Sequence, residues 1–226
     1  MKIQYHNHLP HIAPIGATFF VTFRLVDSLP QSIVNALKAE LATEVAHLKK
    51  EFPDSAQRIR DARKRNFGKY DHQLDTQPYG ACYLKQPDVA EIAIAKLREY
   101  DGSLYDLQSY CIMPNHVHVL FSMAAQVVDQ QGIWLEETPE HYVQLDKVMQ
   151  LIKGGSSYSI NRHLGRTGKL WFKDSYDHYV RNEQEWLNIA HYILQNPLKA
   201  GLTEKWEAWP FNFCKPNLLE HLLFRT

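Results

Sequence analysis

The segment from Leu107 to Met123 constrains the fold more than any other part of this chain. It reads L-Q-S-Y-C-I-M-P-N-H-V-H-V-L-F-S-M, two apolar runs separated by a Pro-Asn break. Apolar runs interrupted by turn residues predict two strands that follow each other closely. Because successive side chains of a strand alternate between its faces, His116 and His118 share one face, together with Leu120.

Two imidazoles on one face of a rigid strand can both reach a single metal ion, since imidazole suits zinc, copper, iron and nickel. A His-x-His pair is also compatible with two ordinary strand histidines that face a polar rim. The spacing alone leaves both interpretations open. The histidine-triad hydrolase pattern is excluded, because Leu120 stands where its third histidine would be.

The order of the remaining patterns indicates an α+β fold. An aromatic and β-branched strand is predicted at 17–26, helices at 31–52, 88–100, 143–164 and 183–195, and the paired strands at 105–113 and 116–123. Asn196-Pro197 is expected to end the last helix. Glycines and serines at 154–157 predict either a kink, which would bring Lys153 near a phosphate, or a simple break. This order favours a ferredoxin-like antiparallel sheet with helices packed on one side.

The length of 226 residues indicates one domain, 1–226, with an inserted segment at about 53–83. An apolar fraction of 45% is enough for a packed core. The aromatic residues of the C-terminal extension, at about 203–226, are expected to pack back onto the body.

Charge and cysteine usage narrow the class of protein. With 25 Lys and Arg against 25 Asp and Glu, the chain lacks the strong net charge of a general polyanion binder, so a nucleic-acid surface would need local clustering. The three cysteines form no disulfide framework. No apolar leader or membrane-length run is present, and we expect a cytoplasmic protein without a membrane partner.

The densest run of basic residues lies within the inserted segment. Arginine matches phosphate oxygens well, and nearby aromatic residues could stack on unpaired bases, so the run is a candidate DNA contact together with Lys153. The alternative is a solvated helix face. The candidate residues of the run are Arg58, Arg60, Arg63, Lys64 and Arg65.

Several separated blocks resemble one family. The stretch Y-C-I-M-P-N-H-V-H-V-L, residues 110–120, resembles the HUH motif of the single-tyrosine transposases, which comprise single-strand insertion-sequence transposases and REP-associated tyrosine transposases. The blocks F-F-V-T-F-R-L, W-F-K-D-S-Y-D-H-Y-V-R and A-H-Y-I-L-Q-N-P-L-K-A-G-L extend the resemblance over most of residues 5–205. The long insertion favours the REP-associated branch.

The resemblance implies a site. His116 and His118 would hold a divalent ion, Mg or Mn, with His178 as the expected third ligand and Asp177 as its competitor. The nucleophile would be Tyr176, on a helix that follows the sheet. Minimal members of the family use a glutamine four residues after the tyrosine, where this chain has Val180. Without the family, the spacing of Tyr176 would suggest a packed aromatic stripe.

The function implied is cleavage and rejoining of single-stranded DNA at hairpin, or palindromic, ends through a 5′-phosphotyrosine intermediate, by a monomer or homodimer. Two alternatives remain. One is a catalytically silent protein, derived from such a transposase, that still binds hairpin DNA. The other is an unrelated metal-dependent hydrolase of small phosphoesters, which would not need the basic inserted segment.

Overall fold

The structure is a computed structural model, and it describes residues 2–7, 9–76, 79–129 and 131–223, with side chains between residues 14 and 222 of those ranges. Near the N-terminus, β1 (Lys2–Asn7) and β2 (Leu9–Pro14) form a separate two-stranded antiparallel sheet.

A five-stranded antiparallel sheet forms the centre of the protein. Its spatial order is β6-β3-β5-β4-β7, so that the two predicted strands, β4 and β5, are neighbours and β3 lies beside β5. Every residue of β5 is buried. The strands are β3 (Thr18–Arg24), β4 (Asp106–Ile112), β5 (His116–Ser122), β6 (Tyr176–Tyr179) and β7 (Asn212–Cys214).

Alternation along the strands divides the core into two layers. On one face, residues such as Phe19 and Val21 of β3 and Val119 of β5 pack against α3 (Pro87–Arg98) and α4 (Leu145–His163). On the other face, Phe20 and Leu120 pack under α5 (Glu183–Lys199) and α6 (Pro216–Leu223). The histidines of β5 belong to this second face.

A helical hairpin formed by α1 (Gln31–Glu51) and α2 (Ala56–Thr76) accounts for most of residues 31–76. The hairpin is largely polar, and within α2 only Ala62, Asp71 and Leu74 are buried. Phe67 of α2 nevertheless makes an edge-to-face contact with Phe20 of β3, at 5.7 Å between ring centroids. Helix α2 therefore covers the face of the sheet that carries the histidines.

The α+β class and the antiparallel sheet are confirmed, but the expectation of helices on one side is wrong, because both faces are covered. The alternative of a helix break at Gly154 and Gly155 is wrong, since α4 runs unbroken through both. Pro197 does not end α5 either: it lies in the last turn, which continues to Lys199. Among the described residues, no helix has the length and apolarity that a membrane span requires.

Candidate metal centre and nucleophile

The two histidines of β5 converge on one point. Their Nε2 atoms are 2.9 Å apart, and neither side chain has any exposed surface. Burial lowers the pKa of each imidazole to about 3, so both are neutral at physiological pH. Neutral imidazole is the form that binds a metal ion.

Partners on the far side of each ring fix the two imidazoles. Nδ1 of His116 lies 2.7 Å from Oδ1 of Asn115, and the Asn115 amide is oriented by its own bond to the Leu74 carbonyl. Nδ1 of His118 lies 2.7 Å from the Thr22 hydroxyl. Because an amide oxygen only accepts, His116 carries its proton on Nδ1 and directs a lone pair from Nε2 towards His118.

Two aspartates of α2, which packs on this face of the sheet, have carboxylate oxygens close to the two Nε2 atoms. Oδ1 of Asp71 lies 3.5 Å from Nε2 of His118 and 4.0 Å from Nε2 of His116, and Oδ1 of Asp75 lies 3.7 Å from Nε2 of His116. Both Oδ1 atoms are buried without a hydrogen-bond donor. Burial raises the pKa of Asp71, and burial together with Asp71 raises that of Asp75 to about 8.

The group formed by Asp71, His116 and His118 fits a metal ion. Ligand atoms about 2.1 Å from one ion, at angles of roughly 90–110°, are about 3.0–3.4 Å apart. The three separations, 2.9, 3.5 and 4.0 Å, bracket this range. A cation would also satisfy the unpartnered Oδ1 of Asp71. It is the one group of this kind within the described residues.

A tyrosine hydroxyl adjoins this group. Tyr192, on α5, donates its hydroxyl proton to Oδ2 of Asp71. Its ring lies edge-on to His118, at 5.7 Å between centroids. Burial, and then the Asp71 carboxylate, raises the pKa of the Tyr192 hydroxyl. Asp71 therefore accepts a hydrogen bond from the phenol through Oδ2, while its Oδ1 faces the two histidines.

One helical turn beyond Tyr192, the Asn196 side chain is completely buried and makes no hydrogen bond of ordinary geometry, although it is close enough to lower the pKa of the Tyr192 hydroxyl. It thus offers a free carboxamide oxygen beside the tyrosine. The family resemblance implies a glutamine four residues after the nucleophile; at that spacing this chain has an asparagine after Tyr192 and Val180 after Tyr176.

The structure gives Tyr176 a different setting. The residue begins strand β6, not a helix, so the expectation that it follows the sheet on a helix is wrong. Its ring stacks on Phe67, at 3.8 Å between centroids and 17° between planes. In the sheet register Tyr176 and His118 flank Thr22 on opposite sides, so two strand spacings, roughly 10 Å, separate their backbones. Burial, and then Asp177, raises the pKa of the Tyr176 hydroxyl.

His178 is not brought to the histidine pair. Its Nε2 lies 2.9 Å from Oε1 of Glu185, the same carboxylate that Lys64 contacts at 2.5 Å. Burial lowers the pKa of His178, and Glu185 opposes the shift. His178 thus belongs to an ion-pair network between α2, β6 and α5.

The basic residues predicted to bind DNA are mostly engaged by the protein itself. Arg65 pairs with Glu44 at 2.6 Å, Lys64 with Glu185, and Arg60 with the amide of Gln57. The Arg58 guanidinium stacks on the Phe52 ring, 4.1 Å from its centroid, and Nε of Arg63 is buried. Lys64 and Arg65 are therefore neutralised by carboxylates, whereas Arg58, Arg60 and Arg63 make no salt bridge with another described residue.

Sequence reasoning missed Asp71 and Tyr192. A signal for the first was present, because Asp71 and Asp75 are four residues apart and share a helix face. Their distance from the histidines in sequence concealed it. The signal for the second was Asn196, whose carboxamide stands four residues after Tyr192, where the family resemblance implies a glutamine.

Comparison with known proteins gives related results. No family model matches the chain. A putative REP-associated tyrosine transposase of Haemophilus influenzae is 26% identical over 108 residues, which are 48% of this chain and 58% of that protein. An uncharacterized protein of the same species is 26% identical over 98 residues, 41% of this chain and 54% of its own length. The matches span little more than half of each curated relative.

A solved structure of a REP-associated tyrosine transposase bound to a REP hairpin covers 92% of this chain and 82% of its own, with a TM-score of 0.48 and 14% identity. The Haemophilus protein that matches this chain in sequence bears the name of the family that the motifs resemble, the REP-associated tyrosine transposases. The chain is thus confirmed as similar to the REP-associated tyrosine transposases.

Proposed function

We propose that this chain is a metal-dependent DNA transposase or endonuclease that cleaves and rejoins single-stranded DNA at hairpin ends through a 5′-phosphotyrosine. The observation that carries the proposal is the contact between a tyrosine hydroxyl and the buried group formed by Asp71, His116 and His118. A phenol beside a metal-binding group is the arrangement that tyrosine-dependent strand transfer needs. The name of the Haemophilus relative points to the same chemistry.

Within this proposal, Tyr192 is a better nucleophile than Tyr176. The Tyr192 hydroxyl bonds to Asp71 and its ring contacts His118, whereas Tyr176 is stacked on Phe67 at the edge of the sheet. Tyr192 also lies on a helix that follows the sheet, as the family resemblance implies for its nucleophile. Tyr176 remains the alternative that the sequence motif favours.

His116, His118 and Asp71 would hold the divalent ion, Mg or Mn, in place of the His178 ligand expected from sequence. The bound ion would supply charge neutralisation and polarisation of the scissile phosphodiester. Asp75, whose Oδ1 lies 3.7 Å from Nε2 of His116, and Asn196 are candidates for further oxygen donors, since each has a buried side-chain oxygen without a hydrogen-bond partner. Two imidazole nitrogens beside one carboxylate favour Mn²⁺ over Mg²⁺, because Mg²⁺ prefers oxygen ligands.

The residues of the chain have separate tasks in the reaction. Asp71 orients the Tyr192 hydroxyl and accepts its proton. The phenol oxygen forms a bond to phosphorus, and the bond from phosphorus to the 3′ oxygen breaks. The 3′ oxygen takes a proton and leaves as a hydroxyl, while the 5′ phosphate stays on Tyr192. Attack of another 3′-hydroxyl on this linkage would rejoin the DNA and restore the phenol, without an external energy source.

One experiment separates this proposal from its rivals. The protein would be incubated with Mn²⁺ and labelled oligonucleotides that carry the hairpins and single-stranded flanks of its own gene, then examined by denaturing electrophoresis. We expect a covalent adduct with wild type and with Tyr176→Phe, and none with Tyr192→Phe. Phenylalanine preserves both rings, so loss of the adduct reports on the hydroxyl.

The reverse pattern, an adduct with Tyr192→Phe and none with Tyr176→Phe, would assign the nucleophile to Tyr176. Hairpin binding by wild type without an adduct would support the catalytically silent DNA-binding protein. Neither binding nor an adduct, together with hydrolysis of a small phosphodiester, would support the metal-dependent hydrolase.

A further inference from the structure

The longest stretch without acidic residues runs along and beyond α4. From Lys147 to Lys173 the chain contains six Lys and Arg and no Asp or Glu, which leaves 19 Lys and Arg against 25 Asp and Glu elsewhere. A neutral protein thus concentrates its excess positive charge in 27 residues. The six residues are Lys147, Lys153, Arg162, Arg166, Lys169 and Lys173.

Folding brings this stretch together into one surface. The segment after α4 turns back and runs beside the helix, held by three hydrogen bonds: Asn161 donates to the Gly168 carbonyl at 2.8 Å, the Trp171 indole donates to Ser156 at 2.9 Å, and the Lys153 ammonium donates to the Lys173 carbonyl at 2.8 Å. Residues distant in sequence are therefore neighbours, and we call the result the α4 surface.

The cations of the α4 surface have no carboxylate partners. None of the six forms a salt bridge with another of the described residues, in contrast to Lys64 and Arg65 of α2. Arg166, for example, donates hydrogen bonds to the Asn161 amide oxygen and the Lys169 carbonyl and lies over the Tyr83 ring, and none of these partners is a carboxylate. Lys147, Arg162, Lys169 and Lys173 are also exposed, and their charge is consequently available to an external polyanion.

The outward face of α4 adds groups that fit unpaired bases. Lys147, Leu151, Gly154, Tyr158 and Arg162 follow one another at intervals of four, three, four and four residues, so they form one stripe opposite the buried side of the helix. Tyr158 is 69% exposed and Leu151 41%. No atom lies within 4 Å of the Cβ position of Gly154, so a strand can approach the helix backbone there.

One end of the α4 surface lies at the start of β6, at the edge of the sheet. Lys153 donates a hydrogen bond to the hydroxyl of Ser175, the residue before β6. Burial and the charge of Arg24 lower the pKa of Lys153 to about 8, and the Asp174 carboxylate opposes this shift. Arg24 is 2% exposed and lies opposite His116 in the sheet register. A strand lying on α4 would thus be led around the edge of the sheet towards the histidine pair.

We infer that the α4 surface is a binding track for the single-stranded DNA next to the hairpin, with its cations on phosphates and Tyr158 stacked on a base. The inference rests on the proposed function and replaces the α2 basic run as the main DNA contact. Exposed aromatic residues among unpaired cations are the usual means of binding single strands without strict sequence preference.

The test compares two variants with equal changes of charge. Lys147→Gln/Arg162→Gln/Lys169→Gln alters the α4 surface, and the control Lys49→Gln/Lys50→Gln/Lys85→Gln alters exposed lysines elsewhere. Affinity for a hairpin with a single-stranded flank would be measured by fluorescence anisotropy over a range of salt concentrations. We expect the first variant to reduce the slope of log K against log salt by roughly two to three, and the control to leave it unchanged.

A second pair of variants tests the stacking. Tyr158→Ala should weaken binding of the flanked hairpin roughly five- to hundredfold, while Tyr158→Phe, which keeps a ring, should bind like wild type. A hairpin without its flank should be bound equally by all three proteins.

Equal slopes for the two triple variants would overturn the inference, and so would a loss from Tyr158→Ala that persists on the hairpin without a flank. The chemistry is tested separately by the Tyr192 adduct. The expected binding pattern without a wild-type adduct would support the α4 surface and reject cleavage. Failure of wild type to bind DNA would reject both.

Discussion

Replacement of Asp71 by asparagine separates the metal-binding role of this residue from its role in packing. Asparagine has the same shape, and its carbonyl can still accept the Tyr192 hydroxyl, but it carries no charge. In metal-free protein the wild-type carboxylate is buried, its Oδ1 has no donor, and burial raises its pKa. We therefore expect Asp71→Asn to be at least as stable as wild type in EDTA.

Wild type should become the more stable of the two proteins when a divalent ion is added. An ion at a hundred times its dissociation constant adds about 2.7 kcal/mol to the free energy of unfolding. For a chain of this size, 1 kcal/mol shifts the melting temperature by about 2–4 °C, so wild type should gain about 5–11 °C. Asp71→Asn removes the only carboxylate of the three-residue group and should gain little.

Thermal melts followed by circular dichroism, in EDTA and with Mn²⁺, would measure both effects. His178→Ala is the matched control, since the structure pairs this histidine with Glu185. We expect the control to keep the full Mn²⁺-dependent rise. A full rise in Asp71→Asn together with its loss in His178→Ala would refute the reasoning and restore His178 as the third ligand.

Two further predictions concern α4. Because burial lowers the pKa of Lys153 from 10.5 to about 8, the unfolded chain holds that proton more tightly. Wild type should therefore lose stability as the pH falls from 10.5 to 8, by at most about 1.4 kcal/mol per pH unit, and Lys153→Met should not, as urea unfolding at several pH values would show. Ser156→Ala should cost about 1–3 kcal/mol in the same assay, because it leaves the buried Trp171 indole without an acceptor, whereas Ser159→Ala should change stability by less than about 0.5 kcal/mol.

The strands could be predicted from sequence because their signal is local. Alternation over seven residues determines that His116 and His118 share a face, and no distant residue alters that geometry. The same rule could not identify Asp71, since nothing in the local pattern of α2 shows which face of the sheet the inserted helix will cover. Ligands from separate elements meet only through tertiary packing.

The misassigned helix positions have a similar origin. Gly154 and Gly155 lower helix propensity, yet α4 continues through them, because its apolar side, including Val148, Ile152 and Ile160, packs on the sheet. Tyr176 sits in a segment of four residues whose strand conformation comes from pairing with β3. Tertiary contacts outweighed local preference in both segments.

The cover formed by α2 has a kinetic consequence. His116 and His118 have no exposed surface and Asp71 is 3% exposed, so no phosphodiester reaches the group while α2 remains docked. The helix buries only three of its own side chains, so little apolar burial holds it on the sheet. Entry of the ion and entry of the DNA strand would therefore have a common upper limit, the rate at which α2 opens.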